Sequence, residues 1–299
     1  MIKTAIIPIA GMGTRFLPLS KALPKELFPL VDIPALQYIV EEAIVSGIKQ
    51  IIFVTRPEKK LILDYFLKDN RLIKKALKER KKNEILKELS NFERILKNIS
   101  ISWVVQKEPL GDGHAVLQAK EKVKKEKGTA VLFGDDIVES KKSCLAQMIE
   151  VFKKYKKPVV ALYKIPKESL SSYGIVKVKK IKNRVYEIEE IIEKPKISEA
   201  PSNLAIVGKY IITPEVFSFL EKPSLTKGEI RLAGAFNQMI KDDKRILGYE
   251  FEGKWLECGD KLAYLKSNLY LMLKHPKFGP ELKKFIKKEK LLQTAAGYR

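Results

Sequence analysis

Alternation constrains this chain more than any other feature. Four strand-like runs in its first 134 residues, "KTAIIPIA", "IKQIIFVT", "ISWVVQ" and "TAVLFG", are separated by helix-like segments. The first crossover shows helical apolar spacing in "ALQYIVEEAIVS", with Pro34 at the first helical position and Gly47 closing the far end. "EKKLILDYF" and "HAVLQAKEKV" supply later crossovers. Strands joined this way lie parallel with right-handed connections, which predicts a first half of nucleotide-fold type built on a parallel sheet.

Between Asp69 and Ser100 the apolar residues Ile85, Leu86, Leu89, Phe92, Leu96 and Ile99 recur at three and four, predicting one or two inserted helices. After the helical "CLAQMIEVFKKY" the pattern shifts to strands in "VVALYKI", "GIVKVKK", "RVYEIEEII" and "NLAIVGKYII". Short helices at "PEVFSFL" and "EIRLAGAFNQMI" interrupt them, and "RILGYEF" adds a strand. Residues 260–290 read as helical. Without repeats or a low-complexity linker, the two halves are expected to share one sheet. The class is α/β: a mixed central sheet flanked by helices, with a helical insertion and a helical C-terminus.

The chain has 299 residues and is 45% hydrophobic, which excludes a disordered polymer. No apolar run approaches the ~20 residues that cross a bilayer, and the strand-like start is no signal peptide, so a cytoplasmic location without a membrane partner is expected. Cys144 and Cys258 are too few for a disulfide framework, and with His114 and His275 they show no zinc spacing. A formal charge of +22 raises nucleic acid, an anionic membrane or phosphate-rich small ligands as partners. Lysines at helical spacing in "RLIKKALKERKKNEILKEL" read as solvated helix faces, and no aromatic RNA-binding signature accompanies them, so nucleic acid is not expected.

The glycine turn "AGMG" follows the first strand, where open parallel sheets bind ligands and backbone N–H groups can approach phosphate. "GMGTRF" is neither a dinucleotide fingerprint nor a Walker loop. Arg15, Lys21 and Lys25 crowd three cations behind it, which an oligophosphate would draw together. In "VLFGDDIV" either Asp135 or Asp136 could hold Mg²⁺ at the same sheet edge. In "IIEKP", Glu193 suits sugar hydroxyls and Lys194 suits a phosphate. Together these describe phosphoryl or nucleotidyl transfer by positioning and charge neutralisation.

"AGMGTRFLPLSKALPKELFPLVDIPALQYIVEEA", "GDGHAV", "FGDD", "YGIV", "EKP", "APSNLAIVGKYI", "GEIRL" and "GKWLECGDKLAYL" resemble, in order and spacing, the bacterial UTP–glucose-1-phosphate uridylyltransferases over nearly the whole chain. The resemblance implies a Rossmann-like, glycosyltransferase A-like nucleotidyltransferase fold in a single domain. Residues 1–140 would bind nucleotide, 141–259 sugar phosphate, and 260–299 would form C-terminal helices at an oligomer contact, as homodimer or homotetramer. UTP and glucose 1-phosphate would give UDP-glucose and pyrophosphate by in-line displacement. Ala10, Gly11 and Gly13 would lie under the nucleotide, and Glu26, Gln106 and Gly111 would address the uracil edge. Arg15 would clamp the pyrophosphate and Lys25 the α-phosphate. Gly174, Glu193 and Val207 would line the glucose, Lys194 would hold its phosphate, and Asp135 with Glu257 would carry Mg²⁺.

Three positions depart from the family pattern. Glu257 in "LECG" replaces the usual aspartate, Ala233 and Gly234 replace a threonine–aspartate pair, and Asp112 in "GDGHAV" stands where leucine is common. Asp112 would repel a nucleotide or cap the following helix. Two further readings share these residues: a glucose-1-phosphate thymidylyl- or adenylyltransferase, and a nucleotide-sugar-binding homologue without turnover. His114, Cys258, Trp103 and Trp255 are expected to serve packing or capping.

Overall fold

The computed structural model describes residues 2–222 and 228–291. Its first half runs β1 (Thr4–Pro8), a two-residue hairpin β2 (Pro29–Leu30) and β3 (Ile33–Pro34), α1 (Ala35–Val45), β4 (Gln50–Thr55) and α2 (Lys60–Leu67). The insertion is α3 (Arg71–Glu79) and α4 (Asn83–Leu96), followed by β5 (Ser100–Val105), α5 (Asp112–Gln118), α6 (Lys120–Val123), β6 (Thr129–Leu132) and β7 (Asp136–Glu139). The second half continues with α7 (Cys144–Tyr155), β8 (Val159–Lys164), β9 (Gly174–Lys182), β10 (Val185–Glu193), β11 (Leu204–Ile212), α8 (Pro214–Glu221) and α9 (Leu232–Lys241). It closes with β12 (Leu247–Glu250), β13 (Lys254–Glu257), α10 (Lys261–Lys274) and α11 (Gly279–Lys288).

Among the described residues, nine strands form one sheet in the order β5-β4-β1-β6-β11-β8-β12-β10-β9. β5, β4, β1 and β6 are parallel, whereas β11 runs antiparallel to both β6 and β8. The sheet is therefore mixed and continuous across both halves. Separate apolar layers cover its faces, one built from Leu36, Ile39, Leu145 and Met148, the other from Val116, Phe236, Leu232 and Leu220. β1 is buried from Thr4 to Ile7, which explains its apolar run and leaves its carboxyl end free to carry the glycine turn.

Pro34 stands just outside α1, in the hairpin, and Gly47 takes φ 90 after the helix, a conformation that suits glycine. α3 and α4 have no buried residue; Phe92 docks the insertion against Tyr65 and Phe66. Trp103 departs from its expected packing role: it lies on the edge strand β5 and is 48% exposed. A separate ribbon has no signal of its own in the sequence: β13 pairs antiparallel with β7 and sets Glu257 opposite Asp136. Among the described residues no helix is long and apolar enough to cross a membrane.

Candidate active site

The turn after β1 opens two adjoining cavities at the carboxyl edge of the parallel strands. One, of about 320 Å³, is lined by Ala10, Gly11, Glu26, Gln106 and Gly111. The other, of about 420 Å³, is lined by Gly13, Arg15, Gly174, Glu193, Lys194 and Glu257. Lys25 and Asp135 line both, and the Lys25 ammonium is bonded to Asp135 Oδ2. A charged pair thus stands at the junction.

Glycine has different work at the two turn positions. Gly13 has φ 69, and its carbonyl accepts from Ser20 Oγ at 2.8 Å, so the turn itself needs the left-handed residue. A Cβ at Gly11 would meet no protein atom within 4 Å; the space there is open to a ligand. Arg15 Nη1 donates to the Gly259 carbonyl at 3.3 Å, which holds the guanidinium over the second cavity. Lys21, expected to complete the cation cluster, is exposed and lines neither cavity, because the short helix at Leu19–Lys21 turns it outward.

Glu26 is buried in the first cavity, and both its carboxylate oxygens accept from Lys59 Nζ at 2.8 Å. No sequence signal marks Lys59, which sits in a polar stretch before α2 and reaches Glu26 only in the fold. Gln106 Nε2 donates to the Gly111 carbonyl at 3.1 Å and lies 3.0 Å from His114 Nδ1, giving His114 a positioning contact. Gly111 has φ 105, and a Cβ there would come within 2.5 Å of the Ile230 carbonyl.

The carboxylates of the second cavity fall into distinct roles. Asp136 is structural: Oδ1 accepts from Trp255 Nε1 at 2.7 Å and Oδ2 from Gly208 N–H at 3.0 Å. Any side chain at Gly208 would strike it, since a Cβ would lie 2.3 Å from Oδ2. Burial, then Asp135 and Glu257, push Asp136 up to about 7. Burial also opposes ionisation of Asp135, but Lys25 outweighs it and holds that carboxyl below its ordinary value. Glu257 is raised by burial, then by Asp260 and Asp135, although the Tyr173 hydroxyl donates to its Oε2.

Glu257 and Asp135 face one shared space. A Cβ on Gly259 would lie 3.3 Å from Glu257 Oε1 and 3.4 Å from Asp135 Oδ2. Among the described residues no three His, Cys, Asp or Glu side chains converge as a self-sufficient metal cage. Two facing carboxylates instead fit a divalent cation that draws its other ligands from phosphate and water. Cys258, buried beside them, donates its backbone N–H to the Asp135 carbonyl at 2.8 Å, so its value here is packing and backbone support.

In the second cavity Gly174 and Glu193 are paired across β9 and β10, and a Cβ on Gly174 would press to 3.1 Å of Glu193 Oε2. Lys194 follows at φ 49, its N–H donating to the Tyr173 carbonyl at 3.0 Å. The Val207 side chain is buried in the core and lines neither cavity; alternation along β11 turns Ile206 and Gly208 to the cleft instead. Asp112 does not simply cap its own helix: Oδ1 accepts from Leu232 N–H at 2.8 Å, at the start of α9. Ala233 lines the cavity, whereas Gly234 does not.

A glycine turn, a junction lysine and two facing carboxylates are thus gathered at adjoining cavities on a mixed α/β sheet. The nucleotidyl transferase family matches residues 4–272. The UTP–glucose-1-phosphate uridylyltransferase of Staphylococcus haemolyticus is 42% identical over 96% of this chain and 98% of its own. A UTP-bound UGPase from Acinetobacter baumannii superposes with TM-score 0.87 at 38% identity, covering 96% of this chain and 99% of that one. A UDP-glucose pyrophosphorylase complexed with UDP-glucose gives TM-score 0.81 at 36% identity, over 92% and 100%. This chain belongs to the nucleotidyl transferase family and, within it, to the UTP–glucose-1-phosphate uridylyltransferases.

Proposed function

We propose that this protein transfers a uridylyl group from UTP to α-D-glucose 1-phosphate, releasing pyrophosphate and UDP-glucose. The observation that carries this is the Lys25–Asp135 pair standing where the two cavities meet, the place at which a nucleotide and a sugar phosphate would touch. UTP occupies the Gln106 and Gly111 side, with Ala10 and Gly11 beneath it. Glucose 1-phosphate occupies the other, with Glu193 on its hydroxyls, Gly174 giving it room and Lys194 on its phosphate. Val207 contributes only through the backbone between Ile206 and Gly208.

An oxygen of the sugar phosphate attacks the α-phosphorus of UTP in line; one P–O bond forms and the α–β bridging P–O bond breaks. The attacking phosphate is already ionised, so no general base is needed, and His114 takes no proton. Lys25 lies at the reacting phosphorus and balances charge that builds there, while Arg15 steadies the departing pyrophosphate. Mg²⁺, held by Asp135 with Glu257 beside it, supplies charge neutralisation of the triphosphate when bound.

The chain works as one domain, with residues 1–140 serving nucleotide, 141–259 sugar phosphate and 260–299 forming the C-terminal part, of which 292–299 lie outside the described residues; the continuous sheet supports it. A cytoplasmic homodimer or homotetramer suits it as well. Exposed Leu262, Leu265 and Leu269 on α10 and Phe285 on α11 support an oligomer contact, which light scattering would test.

Pyrophosphate release with Mg²⁺, glucose 1-phosphate and each of UTP, dTTP, ATP, CTP and GTP tests the activity. Release confined to UTP supports the reading. Preference for dTTP or ATP would move it to the thymidylyl or adenylyl reaction, and silence with all five beside measurable UDP-glucose binding would make the protein a sensor.

A further inference from the structure

The segment Glu229–Leu232 ties the two cavities together, and no role in the reaction above uses it. Ile230 N–H donates to the Leu110 carbonyl at 2.8 Å, while the Ile230 carbonyl accepts from Gly113 N–H at 2.9 Å and His114 N–H at 3.3 Å. The strap is thereby bound to the loop that carries Gly111. Its other side faces the sugar cavity: Arg231 bonds Glu229 Oε2 through Nε at 2.8 Å and Nη2 at 2.7 Å, and its Nη1 lies 3.5 Å from Glu193 Oε1. Glu193 is the group read as meeting the glucose hydroxyls.

Asp112 locks this strap at its end. The helix α9 has no side-chain cap from Arg231 and no acidic residue in its first turn. The N–H of its first residue, Leu232, is instead satisfied by Asp112 Oδ1 from 120 residues away. Asp112 also lines both cavities. One carboxylate therefore belongs to the nucleotide loop, seats the helix behind the sugar side and borders both substrates.

We propose that Asp112 is a positioning residue that couples the nucleotide cavity to the sugar-phosphate cavity, fixing the Glu229–Leu232 strap and, through Arg231, the carboxylate of Glu193. The inference rests on the uridylyl-transfer reading for its kinetic consequence but not for its geometry. Nucleotide that settles against the Gly111 loop stiffens the strap, and a stiffer strap presents Glu193 in a single pose. The coupling therefore raises the affinity for each substrate when the other is bound.

Two measurements on the full chain test it. Hydrogen exchange of peptides spanning residues 229–240 should show protection in the wild type that rises with UTP and Mg²⁺. Asp112→Ala should lose both the protection and the UTP response, and Asp112→Asn, whose amide oxygen still accepts from Leu232, should restore them. In steady-state kinetics Asp112→Ala should raise the KM for glucose 1-phosphate by about tenfold, the scale of one lost buried hydrogen bond, with rescue by Asp112→Asn to within about threefold. Adding Arg231→Ala to Asp112→Ala should increase the defect by less than the product of the single effects, because both act through Glu193. Unchanged exchange in Asp112→Ala would overturn the proposal, as would an Asp112→Asn variant as impaired as the alanine. A wild type that exchanges as expected but never releases pyrophosphate would refute the activity while leaving the coupling standing.

Discussion

The two cavities carry their charges in opposite ways. In the cavity proposed for the nucleotide, Glu26 and Lys59 are buried against each other with both carboxylate oxygens bonded, so the charge is settled before any ligand arrives. In the cavity proposed for the sugar phosphate, Asp135, Asp136 and Glu257 crowd together, and two of the three are pushed upward by burial and by neighbouring carboxylates. A pocket that recognises mainly by shape and fixed hydrogen bonds can be complete when empty. A pocket that gathers phosphates and a cation is completed by the charge it binds, and its carboxylates repel until then.

Removing Asp135 should break the second cavity most severely. Asp135→Ala leaves Lys25 without its partner and the shared space with Glu257 as its only carboxylate. Turnover should fall by about 10³-fold or more in pyrophosphate-release assays, on the scale of a lost electrostatic stabiliser. Near-normal activity would place the metal elsewhere. On the nucleotide side the corresponding damage should be to stability. Lys59→Met strands a buried Glu26 carboxylate, which costs about 3 kcal/mol or more, readable in denaturant unfolding. An unchanged midpoint would mean that the pair is not the settled charge described above.

Lys194→Ala should separate the cavities functionally. The KM for glucose 1-phosphate should rise by about tenfold or more while the KM for UTP stays near the wild-type value, since a charge-assisted contact to one substrate is lost. Equal effects on both constants would place Lys194 at the junction and erase the division between sides.

Local signals made residues of both cavities legible in sequence, while their long-range contacts were not. The glycine turn, Lys25, Asp135 and the "EKP" segment are each short motifs at strand ends, and the fold brings them together at one sheet edge. Lys59, the Asp136–Trp255 bond and the Asp112–Leu232 bond are contacts across 33, 119 and 120 residues. Nothing in the neighbouring sequence marks them. Val207 illustrates a different limit: a resemblance carries the right stretch of β11 to the site, but a one-residue alternation decides which side chains face it. Lys21 is the same error on a single short helical turn, where cation spacing says nothing about direction.

Glu257→Asp tests whether the longer carboxylate is a handicap. Tyr173 donates to Glu257 Oε2 and stacks edge-on against Trp255 at 5.0 Å, so the arm is supported at its present length. Shortening it should withdraw the oxygen from Tyr173 and raise the Mg²⁺ concentration for half-maximal rate by about threefold, in keeping with the loss of one modest hydrogen bond. A drop in that concentration would show instead that the aspartate common in the family is the better ligand here.

The smallest effect concerns Asp112, a carboxylate that borders both cavities. Burial pushes its pKa up to about 6, against the pull of the Leu232 N–H and of Arg231 and with added repulsion from Glu193. Glu229 lines the same two cavities, and Tyr210 faces Asp112 from β11. With its folded pKa above the unfolded value, the native state binds more protons than the unfolded chain between those two values. Its contribution to stability is therefore fully present below the unfolded pKa and is lost as pH rises through the folded pKa. Asp112→Asn keeps an acceptor for Leu232 but removes this titration. The variant should match the wild type near pH 4 and melt higher at pH 7, with a gain of about 2–4 °C for each kcal/mol recovered. An advantage that is constant with pH would show that the carboxylate is ionised without penalty, and the nucleotide side would then hold no unsettled charge at all.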